Sequence, residues 1–345
     1  MGRYDFGIVG YGLAGLAIAK RLRDAGKTVL ILSDDSQQSS LVAGGVWNPV
    51  ILKRFTPVWR GAEFLDLALG FYKEIELELD MQFLEYFDTY RILKDVAEQN
   101  NFIAASDHIA LNSFLDPVIQ KNSNSAIQAP FGLGRVKGTG KLKVRELLLA
   151  YAEQLDIATG HFDYDKFDPE NPKINGIEVG QLIFAEGFGM HWNPFFNYLP
   201  LKHSKGEVLT IHAPQLKMEL LLKAGVFVLP LGEDLYKVGA TYNWKDITNE
   251  ISDKAREELL TKLNPMIDVP FKIIDQKAGI RPTVVDRRPL IGVHPIYKKL
   301  SVINGLGTRG VMNAPFASLN LVNHLLFGED LDPIISIDRF VHHMK

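Results

Sequence analysis

Gly10-Tyr11-Gly12-Leu13-Ala14-Gly15 is the stretch on which the fold turns. It follows an apolar run, residues 6–9, that reads as a buried strand, and it opens a helix-periodic stretch over 13–25. Residues 28–32 supply a second strand, and Gly26 stands where a helix ends in a left-handed residue. In this β-α-β setting the glycines of GxGxxG serve three ends, namely a tight turn, close approach of backbone to a pyrophosphate, and close packing of helix on strand. The helix start adds free N–H groups and the positive end of its dipole. Gly10, Gly12, Leu13, Ala14 and Gly15 are therefore the first candidate cofactor contacts. An acid at the end of the second strand would hold the ribose. Ser33 stands there instead, followed by Asp34 and Asp35, so either Asp34 reaches back or Ser33 makes a weaker hydrogen bond. No arginine is present to meet a 2′-phosphate, which disfavours NADP.

The remaining chain sets limits. Its 345 residues, 46% hydrophobic and 23% charged, suffice for one large or two interlocked domains and exclude a disordered chain. A net charge of -3 gives no overall field for nucleic acid or an anionic membrane. With no cysteine, disulfides, thiolate metal sites, a Cys nucleophile and a cysteinyl cofactor link are excluded. No basic leader precedes the first strand and no apolar stretch is long enough to span a bilayer, so a cytoplasmic protein is the expectation. No metal site is expected: His342 and His343 read as a tail, and residues 160–165 as a solvated loop.

Helical spacing recurs over 60–79 and 142–155, and a strand over 181–187 runs into glycines. Residues 206–242 alternate as in an antiparallel sheet. The chain closes with a strand at 300–303, a glycine loop and a helix over 314–327. The fold class expected is α/β and α+β. A discontinuous Rossmann-like dinucleotide-binding domain takes 1–80, 132–200 and 276–345, and a second domain on a mixed or antiparallel sheet takes 81–131 and 201–275.

Four blocks, in order, resemble the D-amino-acid oxidase superfamily of FAD enzymes. That superfamily includes glycine and sarcosine oxidases and the FAD domain of a tRNA 5-methylaminomethyl-2-thiouridine biosynthesis protein. The blocks are the GxGxxG; residues 39–49 (SSLVAGGVWNP); residues 279–292, beginning Gly279-Ile280-Arg281-Pro282; and residues 305–315 (GLGTRGVMNAP). The resemblance implies non-covalent FAD. It lays Ser39, Ser40, Ala43, Gly44 and Gly45 along the flavin, where small residues admit a ring edge, and ends the next nucleotide strand at Gly187. The loop Gly305, Gly307, Thr308, Arg309, Gly310, Val311 and Met312 would stabilise negative charge on the flavin from a helix N-terminus.

The resemblance also implies catalytic residues. Arg281 would fork onto a substrate carboxylate, Lys237 would lie near flavin N5 and favour reaction with oxygen, and Tyr242 would line the cavity. The implied reaction oxidises the C–N bond of an amino acid or N-substituted glycine by hydride transfer to flavin N5, and the imine hydrolyses. Oxygen or another acceptor then reoxidises the flavin. An alternative substrate is carboxymethylaminomethyl-uridine in tRNA, disfavoured by net charge but supported by basic runs at 137–145 and 202–205. A non-catalytic flavin-binding protein, suggested by Ser33, is the second alternative.

Overall fold

Tyr4–Val9, the helix Leu13–Asp24 and the parallel strand Val29–Ser33 form the opening unit. The helix buries Leu16, Ala17, Ile18, Ala19 and Leu22, and it ends before Gly26, whose φ of +72° lies in the left-handed region. The computed structural model describes residues 3–34 and 36–344, so Asp35 falls outside the described residues. From the opening unit a parallel sheet extends in the order Asp156–Thr159, Val29–Ser33, Tyr4–Val9, Ile177–Phe184, Leu300–Asn304. Leu290–Val293 closes it antiparallel.

The Gly310–Phe327 helix packs against Leu13–Asp24 and Gly61–Leu79, and it carries Pro315. Proline has no N–H for the carbonyl four residues back. Here the buried Tyr72 hydroxyl donates to that Val311 carbonyl at 3.0 Å, which lets the helix continue. It begins at Gly310 rather than 314, because the glycine loop itself turns into the helix.

The second sheet runs Lys272–Val284, Leu201–His212, Leu235–Gly239, Phe227–Gly232, Leu221–Lys223, Thr89–Ile92, Leu133–Val136. All of its pairings are antiparallel except Leu221–Lys223 with Thr89–Ile92, which gives the expected mixed sheet. Behind it, Leu259 and Leu263 of the Asp253–Leu263 helix pack with Leu209, Ile211, Val228 and Val238. The sequence boundaries at 132 and 276 run through this sheet, because Leu133–Val136 and Lys272–Val284 both belong to it. Lys272–Val284 pairs with Leu201–His212 along its length, and splitting that ladder would leave backbone donors unmet. Among the described residues no helix is long and apolar enough to cross a membrane.

Candidate active site

A cavity of about 880 Å³ is lined from both sheets. At its nucleotide end, Gly10 adopts φ +103°, and a Cβ there would lie 2.6 Å from the Ala185 carbonyl. A Cβ on Gly15 would sit 2.1 Å from the Gly10 carbonyl, so Gly15 serves the turn from behind the wall. Gly12 caps the helix without a side-chain hydrogen bond, and the first-turn N–H groups face the cavity with only Ser40 Oγ near Leu13 N, at 3.4 Å. This is a cradle fit for a pyrophosphate.

Beyond it, at the carboxyl ends of Val29–Ser33 and Ile177–Phe184, stand Ser33, Asp34, His161, Tyr164 and Glu186. Asp34 accepts from Ser36 N at 3.0 Å and Ser36 Oγ at 2.6 Å, and pairs with His161 Nδ1. Burial pushes its carboxyl up, but the Ser36 hydrogen bonds and His161 outweigh this and hold it below the usual range. Glu186 accepts from Asn193 Nδ2 at 2.8 Å and from the Tyr164 hydroxyl. Burial nevertheless pushes Glu186 up to about 7, with the Asp34 charge adding to the rise. Two carboxyl groups therefore stand where the strand-end residue itself is a serine, and either is chemically suited to ribose hydroxyls. The 160–165 loop, read as solvated, contributes Gly160, His161, Phe162 and Tyr164 to the wall.

Along the middle, Ala43, Gly44 and Gly45 line the cavity. Gly45 has φ +66°, and its Cβ would lie 2.2 Å from the Leu142 carbonyl, so the chain crossing behind it demands glycine rather than anything in the cavity. Lys237 differs from expectation. Its Nζ donates to the carbonyls of Val42 and Ala43 at 3.3 and 3.2 Å, away from the cavity wall, and burial lowers its pKa. It braces this segment from behind.

At the far end Arg281 lies opposite Ser204 on the Leu201–His212 strand. Its Nη1 donates to the Ser204 and Thr241 carbonyls at 3.4 and 3.3 Å, and its guanidinium covers the Tyr242 ring 4.7 Å from the centroid. Asp286, the acid nearest in sequence, is taken by Arg339 at 2.9 Å. Burial lowers the Arg281 pKa and no carboxylate offsets it. Gly206 makes room: a Cβ there would be 2.0 Å from Arg281 Nη2. Arg309, also desolvated, approaches the same Tyr242. Lys223 lines this end as well, and burial pushes it down to about 8, with Arg91, Lys262 and Arg281 adding repulsion.

Of the residues singled out from sequence, Gly15, Gly305, Met312 and Lys237 lie behind the wall and all the others line it. Glu186 and Lys223 were missed. An acid between Ala185 and Gly187 at a strand end was a visible signal, whereas Lys223, closing an apolar strand, reads as solvent-facing. The basic runs are partly neutralised: Lys141 and Lys143 share Glu85 at 2.8 and 3.0 Å, and buried Lys205 pairs with Asp246 at 2.5 Å.

The family model for FAD dependent oxidoreductases (DAO) matches residues 5–322. The chain is 26% identical, over 90% of its length, to the tRNA 5-methylaminomethyl-2-thiouridine biosynthesis bifunctional protein MnmC of Legionella pneumophila, and covers 52% of that protein. It thus spans about half the length of this curated relative. Its fold is that of glycine oxidase from Geobacillus kaustophilus (TM-score 0.78, 19% identity, 99% of this chain and 98% of that one). Iminodiacetate oxidase from Chelativorans sp. BNC1 is similar too (TM-score 0.75, 18% identity, covering 97% and 98%).

Proposed function

The chain belongs to the FAD dependent oxidoreductase family, with FAD as its cofactor, and from that premise we propose that it oxidises the C–N bond of an amino acid or N-substituted glycine. One observation carries the reading: Arg281 is a desolvated guanidinium on the cavity wall with no carboxylate partner among the described residues. Such a group draws in a substrate carboxylate, forks onto it and orients the attached amine. Gly206 keeps its approach clear and Tyr242 covers one face. Toward the cofactor, the Gly10–Gly12 turn and the following helix start would hold the pyrophosphate, Asp34 and Glu186 the ribose, and the Gly307–Gly310 turn the polar edge of the flavin. Bound FAD supplies the two-electron acceptor for the oxidation. Among the described residues no carboxylate pairs with Arg281, so the substrate ammonium would pass its proton to water rather than to a carboxylate beside that arginine. Glycine and iminodiacetate, named for the two structural neighbours, both contain an aminoacetate unit, which supports this substrate class.

The test is anaerobic addition of sarcosine, glycine, iminodiacetate, D-proline and D-alanine to the FAD-loaded protein. At least one should bleach the flavin absorbance, and Arg281→Leu should weaken its apparent binding by about tenfold or more. A loaded protein whose flavin no carboxylated amine bleaches, or an Arg281→Leu variant with unchanged affinity, refutes the assignment. The relationship to MnmC favours a second reading, oxidation of carboxymethylaminomethyl-uridine in tRNA. With Lys141, Lys143 and Lys205 paired, tRNA affinity would depend on Lys137, Arg145 and Lys202. Binding that falls with salt and with alanine at those positions would support it.

A further inference from the structure

Lys223 ends the Leu221–Lys223 strand with its side chain on the cavity wall. Among the described residues its ammonium makes no ion pair or hydrogen bond, and it sits 5.6 Å from the centroid of the Phe227 ring. Neighbouring cations are otherwise provided for: Arg91 meets Glu98 at 2.7 Å and Lys262 meets Glu258 at 2.5 Å. Among the described residues Lys223 and Arg281 have no such partner, and neither has Arg309, which shares Tyr242 with Arg281. Asp34 and Glu186 are the acids on the wall, and neither contributes to the charge environment of Lys223.

Arg281 and Lys223 rise from strands separated by three others in the sheet order. The wall there is made of Gly206, Val208, Phe227 and Ala240, none of them charged. An unpaired cation withdrawn from water is costly, and two at this end of the cavity with uncharged wall between them form a site that two anions complete. We infer that the substrate carries a second carboxylate, bound by Lys223 while the first occupies Arg281, which makes it an amino- or iminodicarboxylic acid. The inference rests on the aminoacetate oxidation proposed above. An anion beside Lys223 also restores the charge that burial opposes.

Equilibrium binding separates this inference from that reading, because it needs no turnover. Two ethers that resist amine oxidation serve as probes: diglycolate, with two carboxylates, and methoxyacetate, with one. Calorimetric titration of the FAD-loaded wild type should show diglycolate binding tighter by about ten- to a hundredfold, the range of one charge-assisted hydrogen bond. Lys223→Met should remove most of that preference and leave methoxyacetate unchanged, Lys223→Arg should keep it, and Arg281→Leu should weaken both ligands. Equal affinities in the wild type overturn the inference with no variant needed. That is also the result expected of a cavity shaped for a neutral uracil ring, or of a lysine that takes a substrate proton. A preference that survives Lys223→Met overturns it too. Should no amine bleach the flavin while diglycolate preference persists, the oxidase reading fails and the two-anion site stands. Bleaching by sarcosine together with equal affinities gives the reverse.

Discussion

Replacing Glu186 by Gln removes an ionisation that the fold resists while keeping an oxygen to which Asn193 can donate. In the native chain burial raises this carboxyl from 4.5 to about 7. At about 1.4 kcal/mol per unit that rise sets a ceiling of about 3 kcal/mol, and water reaching the group from the cavity reduces it to about 1–3 kcal/mol. The sign follows from proton counts. Between pH 4.5 and about 7 the folded state holds a proton that the unfolded state has released, so wild-type stability falls as pH rises through this window. Glutamine does not titrate, so the variant lacks this loss. In the variant the Tyr164 hydroxyl loses the carboxylate it donates to, a cost present at both pH values compared below. Urea unfolding of the FAD-free proteins at pH 5 and pH 8 gives the comparison, with the variant gaining about 1–3 kcal/mol on wild type at the higher pH. Saturating FAD should narrow the gain if ribose hydroxyls donate to Glu186. A stability difference that is the same at both pH values refutes the buried-acid account.

Gly206→Ala should push the Arg281 guanidinium aside, since the new Cβ would lie 2.0 Å from Nη2; carboxylate affinity falls about tenfold or more in calorimetry while flavin absorbance is retained. Tyr72→Phe should cost about 1–3 kcal/mol of unfolding free energy, because the buried Val311 carbonyl opposite Pro315 loses the Tyr72 hydroxyl. Unchanged urea midpoints would show that the helix tolerates the gap. Lys237→Met should loosen the Val42–Ala43 segment and weaken FAD binding several-fold in a fluorescence titration. The rate of flavin reoxidation by oxygen should change less than about twofold, since Lys237 lies outside the cavity wall; a larger drop would return to it the oxygen role expected from sequence.

Where chemistry depends on backbone approach within a short segment, the sequence carried it. GxGxxG between an apolar strand and a periodic helix leaves few conformations, and the Gly-x-Arg-Pro segment delivers Arg281 to the cavity. Gly45 shows where local reading stops: its small size answers to the Leu142 carbonyl, almost a hundred residues on, and not to a ring in the cavity. The basic runs stop there too. Lys141 and Lys143 look like a phosphate-binding patch until Glu85 is brought between them by strand pairing.

By itself the sequence determined the class of fold and placed the glycine turn and Arg281 on the cavity wall, because each depends on residues adjacent in the chain. Which charges remain unmet was decided by tertiary structure alone. Lys237 and Lys223 both sit at strand positions in the same sheet. One is spent on two backbone carbonyls behind the wall, and the other stands at the Arg281 end of the cavity with no ion-pair partner among the described residues. A lysine's chemistry is set by what surrounds its ammonium, and those neighbours come from strands distant in the sequence.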